Sequence, residues 1–200
     1  MIKRSCPPVV WSVALLLSCM CGASFAQAPI SQASKDELIG ALGGPDWKGS
    51  GLRGKAFTRT APPDALSHGC PEAAASTGRK NLVVYSQDAP DVNLNIQFAT
   101  DSDAIKAESD ALLSTMAQAL MDESMRQVKV TVAGHTDGTG SRDHNLVLSC
   151  ARAIAVRNRL IQLGVEAERL GVYGFGPDRP LETGAVESAA NRRVEIRRAS

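Results

Sequence analysis

From residue 92 onward the chain switches between two hydrophobic periods. Val92, Leu94 and Ile96 are separated by Asn93, Asn95 and Gln97, the two-residue repeat of a strand with one face buried. Across 102–122 the apolar positions Ile105, Leu112, Leu113, Met116 and Leu120 take helical spacing, which predicts a helix over that whole stretch. Val128, Val130 and Val132 alternate again up to Gly134, and a second long helix then carries Ala153, Val156, Leu160 and Leu163 on one stripe before Gly164 stops it. Residues 170–173 and 194–196 read as two further strands, with a helical turn around 187–191. The order β-α-β-α-β-β predicts an α+β fold. Helices of this length between strands act as crossovers, so the sheet is mixed, in part parallel, with the helices packed on one face.

Upstream the pattern fades. Residues 27–91 are rich in Gly, Pro, Ala and Ser with no sustained period, a linker-like N-terminal segment. It holds one island: Ser34 and Glu37 form a capping-box pattern ahead of Leu38, Ile39 and Leu42, and Gly43-Gly44-Pro45 closes it. Such a short amphipathic helix can dock on the domain, dock on a partner, or form transiently in a flexible arm. Residues 1–26 differ in kind. Lys3 and Arg4 precede an apolar run over 9–17, and Ser24 and Ala26 sit at cleavage spacing, the layout of a secretory signal peptide too short to be a convincing membrane span. The expected organisation is therefore signal peptide 1–26, arm 27–91 and domain 92–200. A second reading takes Leu16-Leu17-Ser18-Cys19 as a lipobox with Cys19 acylated, although Leu17 fits its position poorly; simple cleavage after Ala26 is preferred.

The 200 residues carry a formal charge of +1 and are 44% hydrophobic, enough for one globular domain with accessory segments. Losing Lys3 and Arg4 with the leader turns that charge to −1, and so balanced a chain offers no footprint for nucleic acid. Of the five cysteines only Cys70 and Cys150 survive cleavage after Ala26. In an oxidising compartment they can pair, or each can be buried as a small hydrophobe.

The candidate chemistry sits at the carboxyl end of the middle strand, where Gly134-His-Thr-Asp-Gly-Thr-Gly140 places an acid between glycines. Ligands of such sheets gather where strand ends meet helix starts. Four blocks, Asn95-Ile-Gln-Phe98, that loop, Asn145-Leu-Val-Leu-Ser-Cys-Ala-Arg152-Ala153 and Asn191-Arg-Arg-Val-Glu-Ile196, together resemble the OmpA-like peptidoglycan-binding domain over roughly half the chain. The resemblance implies that Asp137 and Arg152, the latter early in its helix, hold the diaminopimelate of the peptidoglycan stem peptide, with Thr136 and Asn145 as secondary contributors. The free diaminopimelate centre is a zwitterion, so Asp137 would accept from its ammonium and Arg152 pair with its carboxylate. Gly138 and Gly140 would take positive φ and turn backbone N–H groups toward that carboxylate.

Other readings are weaker on chemical grounds. His135, Asp137 and His144 could be offered as metal ligands, or Cys150 as a thiol nucleophile, but neither set has a recognised ligand or triad spacing. No cofactor and no catalysis are expected. Alternation sends Arg192 and Arg193 to opposite faces, and both read as structural. Cys150-Ala151 departs from the charged residues the family often places before its arginine. No acid occurs in the first 35 residues, which argues against an ion-driven motor component. The expected role is a periplasmic, wall-associated protein, outer-membrane anchored if Cys19 is lipidated. Peptidoglycan is its partner, and envelope proteins are candidate partners of residues 27–91.

Overall fold

The structure, a computed structural model, describes residues 29–44, 70 and 83–199. The leader, Cys19 and much of the arm lie outside the described residues. Helix α1 (Lys35–Ala41) comes first, followed by β1 (Asp91–Leu94), α2 (Asp110–Met121), β2 (Val130–His135), α3 (Arg142–Gln162), β3 (Leu170–Gly176) and β4 (Val194–Arg198). The strands form one mixed sheet in the order β1-β4-β2-β3. β2 and β3 are parallel across the α3 crossover. β4 inserts between β1 and β2, antiparallel to both, with Ile196 opposite Val92 on one side and Val132 on the other.

Helix α2 begins later than hydrophobic spacing suggests. Instead of continuing a helix, 98–105 fold back: Phe98 and Ile105 form an antiparallel bridge, Ala99 N donates to Ala104 O at 2.9 Å, and Lys106 N to Gln97 O at 2.9 Å. The run Asp101-Ser102-Asp103 favours a turn, and Asp101 adopts φ 50°. Ile105 therefore packs against the core from a loop. A 3-10 turn, Ala107–Ser109, then leads into the helix.

The helices cover one face of the sheet. Leu112, Leu113, Met116 and Leu120 of α2 and Ala153, Val156 and Leu160 of α3 pack on Val92, Leu94, Val130, Val132, Val194 and Ile196 in one continuous core. Helix α3 lies close to the strands because they present glycine beneath it. A Cβ on Gly134 would stand 2.1 Å from Ser149 O, and one on Gly174 2.8 Å from Cys150 N.

The arm is partly built into this core. Ser34 closes a reciprocal capping box with Glu37, and Leu38 and Leu42 of the α1 turn are fully buried in the same cluster. Ile30 N donates to Asn93 O at 2.7 Å, Lys35 Nζ meets Asp122 Oδ2 at 2.8 Å, and Arg198 donates to Gly44 O at 2.9 Å. Of the surfaces open to this helix from sequence, it occupies the domain. Cys70, whose N donates to Val172 O at 3.4 Å on β3, is joined to Cys150 of α3 as a disulfide, with Cα atoms 5.7 Å apart.

Among the described residues, the opposite face of the sheet carries no helix. Tyr85, from the segment before β1, packs there on Ala133, Tyr173 and Phe175. Beside them lie His135, Arg193, Glu195 and Arg197.

Candidate functional site

The loop after β2 is held by its own polar atoms. Thr136 is buried; its N donates to Gly176 O and its Oγ1 to Asp137 O, both at 2.9 Å. Asp137 Oδ1 accepts from Thr139 N at 3.1 Å, the short turn an aspartate makes with backbone two residues on. Asn145, also buried, reaches back from α3 and donates Nδ2 to Thr139 O at 2.8 Å. Gly140 takes φ 86° just before Ser141, whose Oγ accepts from His144 N and caps α3. Thr136 and Asn145 thus brace the loop that aims Asp137.

Gly138 does not behave as the sequence suggests. Its φ is not positive, and its N donates to Val186 O at 2.8 Å, so this N–H is not turned toward a ligand. A Cβ there would press on the Val186 side chain at 3.3 Å; the glycine permits close approach of Val186.

Asp137 keeps one carboxylate edge on the loop and offers the other outward. Arg192 Nη1 meets its Oδ2 at 2.7 Å. Partial burial works against ionisation of Asp137, but the hydrogen bonds from Arg192 and Thr139 outweigh it and hold the carboxyl below its ordinary value. Arg152 stands in the third turn of α3, not at its start. Its Nε donates to Ser102 O at 3.0 Å, in the loop that replaced the first turns of the expected helix, and its guanidinium lies 4.9 Å over the Phe98 ring. With its planar head held at Nε and by one face, the two terminal nitrogens can serve a carboxylate as a fork.

Arg152 and Arg192 line one cleft of about 260 Å³, together with Asn95, Gln97 and Phe98. Asp137 joins the cleft through Arg192, and its charge bears on that of Arg152. Of the two residues singled out from sequence, Arg152 lines the cleft and Asp137 stands beside it, tied to it through Arg192; Arg192 and Phe98 are additions from the structure. Phe98 was in a quoted block without a role. Arg192 was read as structural because alternation says only that neighbours face apart, not which of them faces the loop.

Arg193 faces away. Its Nε donates to Asn93 Oδ1 at 2.7 Å and Nη2 to Arg179 O at 3.2 Å, and it is buried. Nearby, His135 stacks on Phe175 with ring centroids 5.4 Å apart. Its Nε2 lies 3.3 Å from Glu195 Oε2 without forming a hydrogen bond. Burial holds the imidazole below its ordinary pKa. Burial alone would raise the Glu195 carboxyl, but His135 and Arg197 beside it hold it well below the usual carboxylate range.

The rival constellations do not assemble. His135 is sealed beside Glu195, Asp137 pairs with Arg192, and His144 Nε2 pairs with Asp101 Oδ1 at 2.7 Å. Cys150 carries no thiol, being bonded to Cys70. Among the described residues, no group of three or more His, Cys, Asp or Glu could hold a metal ion, and no helix is long and apolar enough to cross a membrane.

Residues 97–193 match the model of the OmpA family. The chain is 34% identical over 132 residues to the peptidoglycan-associated lipoprotein of Rhizobium meliloti (strain 1021), covering 65% of this chain and 70% of that protein. To the peptidoglycan-associated lipoprotein of Mesorhizobium japonicum it is 37% identical over 97 residues, covering 46% of this chain and 56% of that one, a little over half its length. Among solved structures, the peptidoglycan-associated lipoprotein from Burkholderia pseudomallei is 30% identical, with a TM-score of 0.44 over 52% of this chain and 86% of that one.

Proposed function

The chain belongs to the OmpA family, and from that premise we propose that it is a non-catalytic anchor holding peptidoglycan by the diaminopimelate of the stem peptide. Asp137 takes the ammonium and Arg152 the carboxylate of the same zwitterionic centre. The observation that carries this reading is that Arg152 lines a cleft with its head fixed by the Ser102 carbonyl, while the charge of Asp137, held by its own loop beside that cleft, acts on it. Two charges at a set separation select a zwitterion over a lone cation or anion. The relatives named peptidoglycan-associated lipoproteins support anchoring to the wall.

Affinity for a single stem is modest, because a small zwitterion offers little apolar area and its charges must shed water on binding. Durable attachment comes from the repeated sites of the polymer. The protein works in the periplasm against the wall, and is tethered to the outer membrane as well if Cys19 is acylated. An envelope partner for residues 27–91 would engage segments other than Leu38 and Leu42, which are spent in the core.

The test is co-sedimentation of the mature protein with diaminopimelate-type sacculi, comparing wild type with Asp137→Ala and Arg152→Ala, each checked for folding by circular dichroism. Loss of binding in both folded variants is the expected result. Binding untouched by either substitution, or absent in wild type, overturns the proposal.

A further inference from the structure

Two arginines line the site and a third, Arg193, faces away beside it, and the three are held very differently. Arg193 is buried with two hydrogen-bond partners. Arg152 is anchored by the Ser102 carbonyl and the Phe98 ring. Arg192 has a side chain 51% exposed, and its recorded hydrogen bond among the described residues is the single contact to Asp137. That contact lies on the outward carboxylate oxygen, Oδ2, while Oδ1 is committed to Thr139. A ligand ammonium seeking Asp137 from the cleft meets a cation already in place.

We propose that Arg192 is a displaceable internal cation, so that a diaminopimelate centre binds by exchanging its own ammonium for the Arg192 guanidinium on Asp137. The inference rests on the reading that Asp137 receives that ammonium. The exchange is feasible because a pair whose arginine is half in water contributes little, and Arg192 can leave for water without abandoning any other hydrogen bond recorded among the described residues. It also sets specificity. A ligand bringing only a cation replaces one ion pair by a similar one and gains little. A ligand that also brings a carboxylate to Arg152 gains the second pair, and the exchange then runs forward. Arg192 is a specificity-determining residue that competes with the ligand, and Arg152 is the one that holds it.

The probe is an N-acetylmuramyl tripeptide ending in meso-diaminopimelate, titrated calorimetrically into the mature protein and into Arg192→Gln and Asp137→Asn. Removing a competitor tightens binding, so Arg192→Gln should bind about two- to fivefold more strongly than wild type, the worth of an exposed ion pair. Asp137→Asn should lose binding. A measurement that needs no variant is the guanidinium nitrogen spectrum of wild type. On saturation the Arg192 signals should move to those of a solvated arginine, while those of Arg193 stay fixed. If Arg192→Gln binds more weakly or equally, or if the Arg192 signals do not move while Asp137→Asn still abolishes binding, the exchange is wrong and the anchoring site stands. If Asp137→Asn binds as wild type does, the underlying reading fails as well.

Discussion

Two clusters of the same side-chain types lie a few residues apart in this domain, and they differ in what surrounds them. Asp137 with Arg192 and Arg152 opens onto a cleft. Glu195 with Arg197, Arg193 and His135 is sealed beneath Tyr85 and the segment before β1. In the first, the Arg192 side chain is half exposed and its ion pair can be traded for another partner. In the second, every charged group is fixed from several sides: Tyr85 Oη donates to Glu195 Oε1 at 2.9 Å, and Arg197 donates to Gln87 O at 2.6 Å and Ala89 O at 2.7 Å. Chain position barely separates them, since residues 135 and 137 bracket one strand end and 192 and 193 are neighbours. Burial decides which arginine is architecture and which is available to a ligand.

The sharpest way to break that contrast is Glu195→Ala. It would strand Arg193 and Arg197 without their buried carboxylate and remove the acceptor of the Tyr85 hydroxyl. Losing one partner of a buried charged group costs about 3–5 kcal/mol. Urea unfolding should show a loss of that size, with sacculus binding retained by whatever protein stays folded. A loss under about 1 kcal/mol would mean that the cluster is as loosely held as the surface pair.

A smaller effect should appear with pH. Because burial lowers the pKa of His135 in the folded protein, the unfolded chain binds the additional proton first as pH falls below about 6.5. Stability contributed by keeping this imidazole neutral is complete above that pH and drains away as pH drops toward the folded-state value. The groups facing it, Glu195, Arg193 and Arg179, do not reverse this sign. Wild type should therefore lose urea midpoint between pH 7.5 and 5.5, and His135→Gln should flatten that slope. An equal slope in both proteins would assign the pH dependence elsewhere.

The sequence made some of this legible and hid the rest for physical reasons. Alternation and helical spacing reveal strands and helices wherever one face is buried, and so the order of elements and the Asp137 loop could be read directly. The stretch 98–106 could not, because Ile105 meets the core equally well from a helix or from a folded-back loop, and only Asp101-Ser102-Asp103 hinted at the turn. That loop matters, since it supplies the Ser102 carbonyl and Phe98 ring that hold Arg152. The arm was legible only in part: its capped helix could be read, but not which surface it meets. Leu38 and Leu42 are too few to show a period over 27–91, yet both reach the core. Arg192 was hidden because its role depends on a tertiary neighbour 55 residues away.

The mildest substitution tests the exposed side of the comparison. Asp137→Asn keeps an oxygen for Thr139 N and removes the charge that Arg192 meets, so the loop turn survives and only the ion pair is lost. For a pair with one side chain half in water, the expected stability change is below about 1 kcal/mol. A double-mutant cycle with Arg192→Gln should return a coupling no larger. Binding to diaminopimelate-type sacculi should nevertheless disappear. That combination, a near-silent change in stability with a complete change in function, is what distinguishes a charge kept for a ligand from one kept for the fold. If Asp137→Asn costs as much stability as Glu195→Ala, the two clusters are one kind of structure, and Asp137 is held in place for the sake of the loop.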